Sequence, residues 1–348
     1  MDTVLLGERE QQILKATIHT YITTAEPVGS RTIARKFQLG LSAATIRNVM
    51  ADLEEMGFLT QPHTSAGRVP TDKGYRFYVD SLVDLPALSK AESARIDAGY
   101  QTTLHKEIEE LLEVTTKLLS LITQQAGIVL LPRLAYMVFK RIEFVRLHPK
   151  KVMVLLVTQT GLLENKVIEL DEDLMQEQLD GIARFLNNRF AGLSLHTVRE
   201  RVAALMAEEK AQYDTLLQRT VQLCQKAFLD EEQEGEVFVG GTTNIFKQPE
   251  FVSDLEKLQA IFQALEEKKR LIQILDACLH AEGVKVLIGS ESRIEEIQDC
   301  SLVTHTYQYG DRTIGVLGIL GPKRMEYPRL ISIVDYTAKA LSRVLSAE

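Results

Sequence analysis

Residues 42–57 read SAATIRNVMADLEEMG, and residues 58–72 read FLTQPHTSAGRVPTD. In the first stretch Ser42 is a typical helix N-cap, and the apolar residues after it recur at the three- and four-residue steps of one helix face. Gly57 ends this helix, because glycine readily takes the left-handed conformation that follows a helix. The second stretch predicts two short strands around a polar loop. Together they predict a helix followed by a β-hairpin.

Two further helices precede this unit. The apolar residues Ile13, Leu14 and Ile18 lie on one face of a helix that ends before Pro27. Ser30 then caps a short helix through residue 37. A helix beginning at residue 71 or 72 follows the hairpin. This order of elements is that of a winged helix-turn-helix, predicted here for residues 1–84.

The distribution of charge favours a DNA-binding surface on this unit. The whole chain has 348 residues, with 40 Lys and Arg against 48 Asp and Glu, so its net charge of −8 excludes a nonspecific basic DNA coat. Residues 27–51, however, contain no acid, and neither do residues 56–71. Such segregation is what a DNA-binding face requires on a domain that is not basic overall. The bases within the two segments are Arg31, Arg35, Lys36, Arg47 and Arg68.

The helix after Ser42 is predicted to be the recognition helix. Ile46, Met50 and Leu53 face inward, which leaves Ala43, Ala44, Arg47 and Asn48 facing outward near the helix N-terminus. Arginine suits guanine, asparagine suits adenine, and alanine permits close approach to a thymine methyl group. Ser42 and Thr45 are expected to reach phosphates, helped by the helix N-terminus. The alternative interpretation is that Arg47 and Asn48 are only solvated surface.

The polar loop is predicted to be a wing that touches the DNA backbone or minor groove. Its contributing residues are His63, Thr64, Ser65 and Arg68, and Ser30 and Arg31 of the short helix complete the predicted DNA-binding set. His63 could instead be a metal ligand, although no cysteine or second histidine lies nearby in the sequence.

The rest of the chain predicts an α+β protein. Heptad-like spacing over residues 104–122 indicates a helix that either lies on the sheet of its own domain or forms a dimer, and Thr115 within the stripe weakens the second alternative. Alternating residues between 135 and 170 and again between 236 and 320 predict antiparallel strands. Residues 171–234 show helix faces and almost no strand signal. They therefore predict a mainly helical insertion that interrupts the β-rich part.

Three N-terminal segments, residues 26–32, 42–55 and 61–72, resemble the signature blocks of the HrcA family of bacterial heat-inducible transcription repressors. Residues 240–244, 288–291, 300–303 and 321–327 fit the same family, so the resemblance covers essentially the whole chain. It implies a winged-helix domain (1–84), a linker (85–103), and a GAF-like domain in two parts (104–170 and 235–348) around an inserted dimerising domain (171–234).

The resemblance also implies function. A homodimer would repress chaperone genes by binding an inverted-repeat operator in double-stranded DNA and would release it on heat stress. A GroEL-type chaperonin would be a partner that keeps the repressor active. No residue of the sequence by itself points to the operator or to the chaperonin.

Several alternatives and exclusions complete the prediction. A small-molecule-responsive regulator that uses the GAF-like pocket is the alternative function. Residues 288–292 follow a strand and could bind an anion or could simply be a capped turn. No catalytic, metal or cofactor motif is recognisable, so an enzyme is not predicted. No apolar run reaches about 18 residues, residues 1–10 lack the apolar core of a signal peptide and the three cysteines are far apart, which predicts a cytoplasmic protein with reduced thiols.

Overall fold

The structure is a computed structural model. It describes the whole chain except residues 1–5, 65, 84, 102–107, 132–137, 160–162, 196, 199–200, 202–222, 224–234, 253, 280, 282, 293, 311 and 347–348. Among the described residues, no helix combines the length and the apolar content that a membrane crossing requires.

The N-terminal residues form the predicted winged helix. Its elements are α1 (Glu8–Thr24), α2 (Ser30–Lys36), α3 (Ala43–Glu55), β1 (Leu59–Thr60), β2 (Val69–Pro70) and α4 (Asp72–Phe77), which continues as a π-helical turn over Tyr78–Leu82. Ile13, Ile33, Ile46 and Leu53 are fully buried between the three helices. One detail differs from the prediction: Gly29 is the N-cap of α2, and Ser30 is its first helical residue.

The remaining elements alternate between strands and helices. In chain order they are α5 (Lys90–Gln101), α6 (Ile108–Thr123), β3 (Ala126–Leu131), β4 (Phe139–His148), β5 (Lys151–Thr158), β6 (Leu163–Glu169), α7 (Gln176–Phe190), β7 (Glu236–Gly240), α8 (Pro249–Val252), α9 (Leu255–Glu266), α10 (Lys268–Asp276), β8 (Lys285–Ile288), β9 (Cys300–Tyr309), β10 (Arg312–Pro322) and α11 (Tyr327–Ser346). Short 3₁₀ turns lie at Thr242–Lys247, Gly289–Ser292 and Glu295–Ile297.

Five of the strands form one antiparallel sheet in the order β7–β3–β10–β9–β8. Helices α6 and α11 cover one face, where Val129, Val303 and Leu317 are buried. Helices α9 and α10 contribute to the core on the other face, around Ile128 and Val316. We call this sheet with its helices, residues 85–131 and 235–346, the body.

The heptad-like helix lies on the sheet of the body, as the first of its two alternatives predicted. Thr115 on α6 is fully buried, and its hydroxyl lies 3.0 Å from Tyr100 Oη and donates to the carbonyl of Leu111 at 2.8 Å. Tyr100 belongs to α5, which packs on α6 and α11. The segment predicted as a linker therefore contains a helix of the body; Leu104 lies outside the described residues.

The predicted domain division is wrong for the strands between residues 139 and 169. They were assigned to the first part of the GAF-like domain, but β4, β5 and β6 form a separate three-stranded sheet that shares its own core with α7. Because β3 pairs directly with β7, everything between them is inserted into the body. The insertion thus begins after β3 rather than at residue 171. Most of the segment from 202 to 234, predicted as helical, lies outside the described residues.

Candidate nucleic-acid interface

The N-terminal half of α3 presents the side chains predicted for base recognition. Ser42 caps the helix by accepting the Thr45 amide at 3.1 Å, and the two hydroxyls lie 2.9 Å apart. Ile46 is fully buried. Opposite this apolar side, Ala44, Arg47 and Asn48 are exposed, whereas Ala43 is half-buried. The face therefore carries small side chains near the helix start and hydrogen-bonding side chains one turn later, as recognition in a DNA groove requires.

Helix α2 adds unpaired positive charge. Arg31, Arg35 and Lys36 are exposed, and Ser30 is half-buried at the first helical position. Like Arg47 of α3, these three bases form no ion pair within the part of the chain that the structure describes. Side chains in this state are free to neutralise phosphates.

The wing is a short hairpin that is held by strand pairing and by hydrogen bonds of one of its own side chains. Leu59 pairs with Pro70 and Thr60 with Val69, while the side-chain amide of Gln61 donates to the carbonyls of Thr64 and Ala66 at 3.1 and 2.8 Å. His63 and Thr64 are exposed at the tip, and Ser65 lies outside the described residues. At Gly67 a Cβ atom would stand 2.5 Å from backbone atoms of Val28, so the hairpin packs directly on the chain before α2.

Arg68, which is predicted to contact DNA from the wing, also has a partner within the chain. Its guanidinium forms an ion pair with Glu54 of α3 at 2.7 Å, and the two side chains are only 19% and 32% exposed. Its backbone pairs with Val28 through two hydrogen bonds of 2.9 Å. Arg68 therefore ties the wing to the recognition helix. No local pattern in the sequence indicates this pair, because the partners belong to different elements.

The turn after β8 is capped, as the second alternative for residues 288–292 predicted. The amide of Ile288 donates to Glu291 Oε2 at 2.9 Å. The amide and hydroxyl of Ser290 both donate to Asp72 Oδ2, at 3.2 and 3.3 Å. The donors that an anion would use are thus occupied by carboxylates of the chain itself.

A groove of about 820 Å³ lies between the winged helix and the body. Its apolar lining includes Val79, Val83, Leu88, Val284 and Ile331. Its charged lining residues already have partners within the chain: Arg76 pairs with Asp80 and Glu291, and Asp335 with Lys339 and His305. The described residues that line the groove therefore present no uncompensated charge that would select a ligand.

Comparison with known proteins covers both parts of the chain. Residues 5–80 match the family model described as winged helix-turn-helix transcription repressor, HrcA DNA-binding, and residues 109–331 match the HrcA protein C terminal domain. A heat-inducible transcription repressor HrcA from Geobacter sulfurreducens is 46% identical over 99% of both chains. One from Syntrophobacter fumaroxidans is 43% identical over 98% of this chain and 97% of its own.

A solved structure has a similar fold. The crystal structure of a hypothetical protein superposes with a TM-score of 0.59 and covers 99% of both chains at 24% identity. At that identity the likeness concerns the fold alone. The family models and the full-length relatives decide the assignment: the chain belongs to the HrcA family of heat-inducible transcription repressors.

Proposed function

We propose that this chain is a sequence-specific repressor of heat-shock genes that binds an inverted-repeat operator as a homodimer in the cytoplasm. The observation that carries the proposal is the exposed start of α3, where Arg47 and Asn48 stand unshielded beside the unpaired bases of α2. Relatives that share the whole length of the chain are named heat-inducible transcription repressors, which supports it.

In the proposed complex α3 enters the major groove. Arg47 donates a pair of hydrogen bonds to a guanine and Asn48 bonds an adenine, while Ala43 and Ala44 permit the close approach. The N-terminus of α3, with Ser42 and Thr45, binds a phosphate. Phosphates flanking the groove are bound by Ser30, Arg31, His63, Thr64 and Ser65, whereas Arg68 positions the wing.

The dimer follows from the proposed operator, because a two-fold protein matches an inverted repeat and joins two weak half-site contacts. We assign the dimer contact to the segment inserted between β3 and β7. Its exposed apolar side chains support this assignment, because Leu163, Val167 and Met175 are each more than half exposed. The body is then the GAF-like domain of the family.

Release on heating is the regulatory part of the proposal. Heat would engage the chaperonin elsewhere, the repressor would lose its native packing without that partner, and the operator would be freed. Operator binding measured before heating, after heating, and after heating with added GroEL-type chaperonin tests this. We expect loss on heating and recovery with chaperonin; equal binding in all three conditions contradicts the mechanism.

Selection of DNA from a random pool, followed by footprinting, tests the DNA-binding proposal. We expect a two-fold symmetric motif. Arg47→Ala should then weaken operator binding by about 1–3 kcal/mol and relax the preference at one base pair of each half-site. Arg35→Ala is the matched control, because Arg35 is an exposed basic residue of α2 without an ion-pair partner among the described residues, and we expect it to contact phosphate, so that its removal weakens binding of all sequences alike. An unchanged motif and affinity for Arg47→Ala would refute the assignment of the recognition face.

A further inference from the structure

The winged helix is fastened to the body through α4. Arg76 donates through Nε to Glu291 Oε1 at 2.8 Å and through Nη2 to Glu291 Oε2, and it also donates to the carbonyl of Val286 at 2.6 Å. One turn earlier on α4, Asp72 accepts from Ser290 and forms an ion pair with Lys323 at 2.9 Å. Hydrogen bonds to Glu291 raise the pKa of the Arg76 guanidinium above its usual value.

A second contact holds the end of α1. Arg324 donates to the carbonyl of Ile22 at 3.0 Å and pairs with Glu250 of α8. The last turn of α1 contains no basic residue of its own, so the body supplies the cation that a helix C-terminus favours. Between the two contacts, Tyr75 packs on Tyr327 with ring centroids 6.0 Å apart, and both side chains are buried.

These contacts do not involve the exposed start of α3. Helix α3 packs against α1, α2 and β1, whereas α4 packs on β8 of the body. The body therefore fixes α1 and α4, and these in turn carry α3. Besides these contacts the two parts are joined by residues 83–89, of which 85–89 form neither helix nor strand. Without the polar contacts, orientation would rest on this short connection and on the apolar packing alone.

We propose that Asp72, Arg76, Glu291, Lys323 and Arg324 are positioning residues that fix the direction of α3 relative to the body and thereby select the spacer between operator half-sites. The inference rests on the proposed function, since it needs a dimer that binds an inverted repeat. In such a dimer the distance between two recognition helices is set by how rigidly each winged helix is held. Two rigidly held recognition helices engage both half-sites at one spacing. Two loosely held helices accept several spacings, but each then has a lower effective concentration at the second half-site.

The experiment compares operators in which the spacer is varied. Full-length protein is titrated with a single half-site, with the selected operator, and with the same operator lengthened by about 5 base pairs, which turns one half-site to the opposite side of the duplex. The variants are Arg76→Ala, which removes the guanidinium, and Glu291→Gln, which removes one charge and keeps an acceptor for the Ile288 amide. Arg76→Lys is the conservative variant. Arg270→Ala is the control, because it breaks ion pairs with Glu267 and Glu296 that lie wholly within the body.

We expect the unmodified protein to bind the lengthened operator roughly tenfold more weakly than the selected one. For Arg76→Ala and Glu291→Gln the two operators should differ by no more than about threefold, with single half-site affinity kept within about twofold. Arg76→Lys should restore much of the discrimination, and Arg270→Ala should behave as the unmodified protein. A merely structural role would lower all affinities together and leave their ratio unchanged.

The inference is overturned if both variants keep the discrimination of the unmodified protein, or if that protein shows none. Failure of the proposed function is distinguishable, since the unmodified protein would then bind neither the selected operator nor the half-site. Thermal unfolding of each variant identifies any loss of binding that comes from misfolding, and Glu291→Gln keeps the test decisive if Arg76→Ala does not fold.

Discussion

Arg68 links the wing to helix α3. The ion pair with Glu54 joins the base of the wing to the last turn of α3. The backbone of Arg68 pairs with Val28, and Gly67 approaches Val28 so closely that a Cβ atom there would stand 2.5 Å from its backbone. Neither partner of the pair is more than a third exposed, so solvent weakens it less than it weakens a surface pair. The angle between wing and recognition helix therefore depends on this contact.

Arg68→Ala is expected to lower the free energy of unfolding by about 1 kcal/mol, since it removes a partly buried ion pair. Operator affinity should fall as well, because the wing is no longer held against α3. Urea unfolding and DNA titration measure the two effects. Glu54→Gln should reproduce the loss of stability, whereas Arg35→Ala, which removes an unpaired base, should lower affinity and leave stability unchanged. Stable protein with weakened binding after Arg68→Ala would instead support a direct phosphate contact.

At the scale of elements, the outer edge of β4 is closed by two amide side chains of α7. The amide and carbonyl of Ile142 bond to Asn187 Oδ1 and Nδ2 at 2.8 and 3.0 Å. Gln176 accepts from the Arg146 amide at 2.9 Å and donates to the Phe144 carbonyl at 2.8 Å. An edge strand with free backbone groups invites pairing with another chain. Helix α7 thus both covers one face of the three-stranded sheet and protects its edge.

Asn187→Ala should destabilise the inserted sheet by about 1–3 kcal/mol, because two backbone groups lose their partners. It should also promote aggregation through the opened edge of β4. Because the chain contains no tryptophan, circular dichroism is used to follow unfolding, and light scattering measures aggregation. Asn188→Ala is the matched control, since Asn188 is the exposed neighbour on the same helix. Equal behaviour of the two variants would refute protection of the edge by Asn187.

At the scale of the whole molecule, the winged helix and the body share one hydrophobic core. Ile18 and Tyr75 of the winged helix belong to the same buried cluster as Val286, Ile331 and Tyr327 of the body, whereas the inserted sheet has a separate core. The net charge of −8 belongs to a molecule whose proposed DNA face carries four basic residues without an ion-pair partner among the described residues, namely Arg31, Arg35, Lys36 and Arg47. Repulsion of phosphate by the rest of the surface disfavours indiscriminate binding, so affinity depends on the few bases of that face.

The salt dependence of operator binding should reflect this small number of basic side chains. Three unpaired basic residues in each subunit, Arg31, Arg35 and Lys36, give about six phosphate contacts in a dimer, and hence a slope of log affinity against log salt of about −5. Lys36→Ala should reduce the slope by about 2, because each dimer loses two contacts. Titrations between about 50 and 200 mM salt measure it. A slope unaffected by this substitution would exclude Lys36 from the interface.

Local signals in the sequence predicted the winged helix and most of its proposed DNA face. The cap at Ser42, the buried spacing of Ile46 and Met50 and the end at Gly57 are decided within a few residues, so their prediction needs no distant partner. Strand β3 was missed because all of its residues are buried, and a continuous apolar run lacks the alternation that marks a half-buried strand. The separate sheet of β4–β6 was missed because alternation indicates a strand and says nothing of its sheet.

The positioning residues between the winged helix and the body could not be predicted either, because a local pattern does not identify a distant partner. Arg76 and Glu291 are 215 positions apart, and either one alone is an ordinary charged residue on a helix or turn. The basic segment Pro322–Arg324 likewise had no recognisable role until the fold placed Lys323 beside Asp72 and Arg324 beside the end of α1. Distant partners of this kind follow from topology rather than from local pattern.

The length of chain between these partners also has a consequence for synthesis. Translation runs from the N-terminus, and Arg324 follows its partner Ile22 by 302 positions. A ribosome-bound chain that has not yet reached residue 286 already carries Arg47 and Asn48 but none of the body residues that hold α4. A message truncated before that point would therefore encode a product with the base-reading side chains and no means of fixing their direction. Fastening of the DNA-reading unit can be completed only when nearly the whole polypeptide has been made.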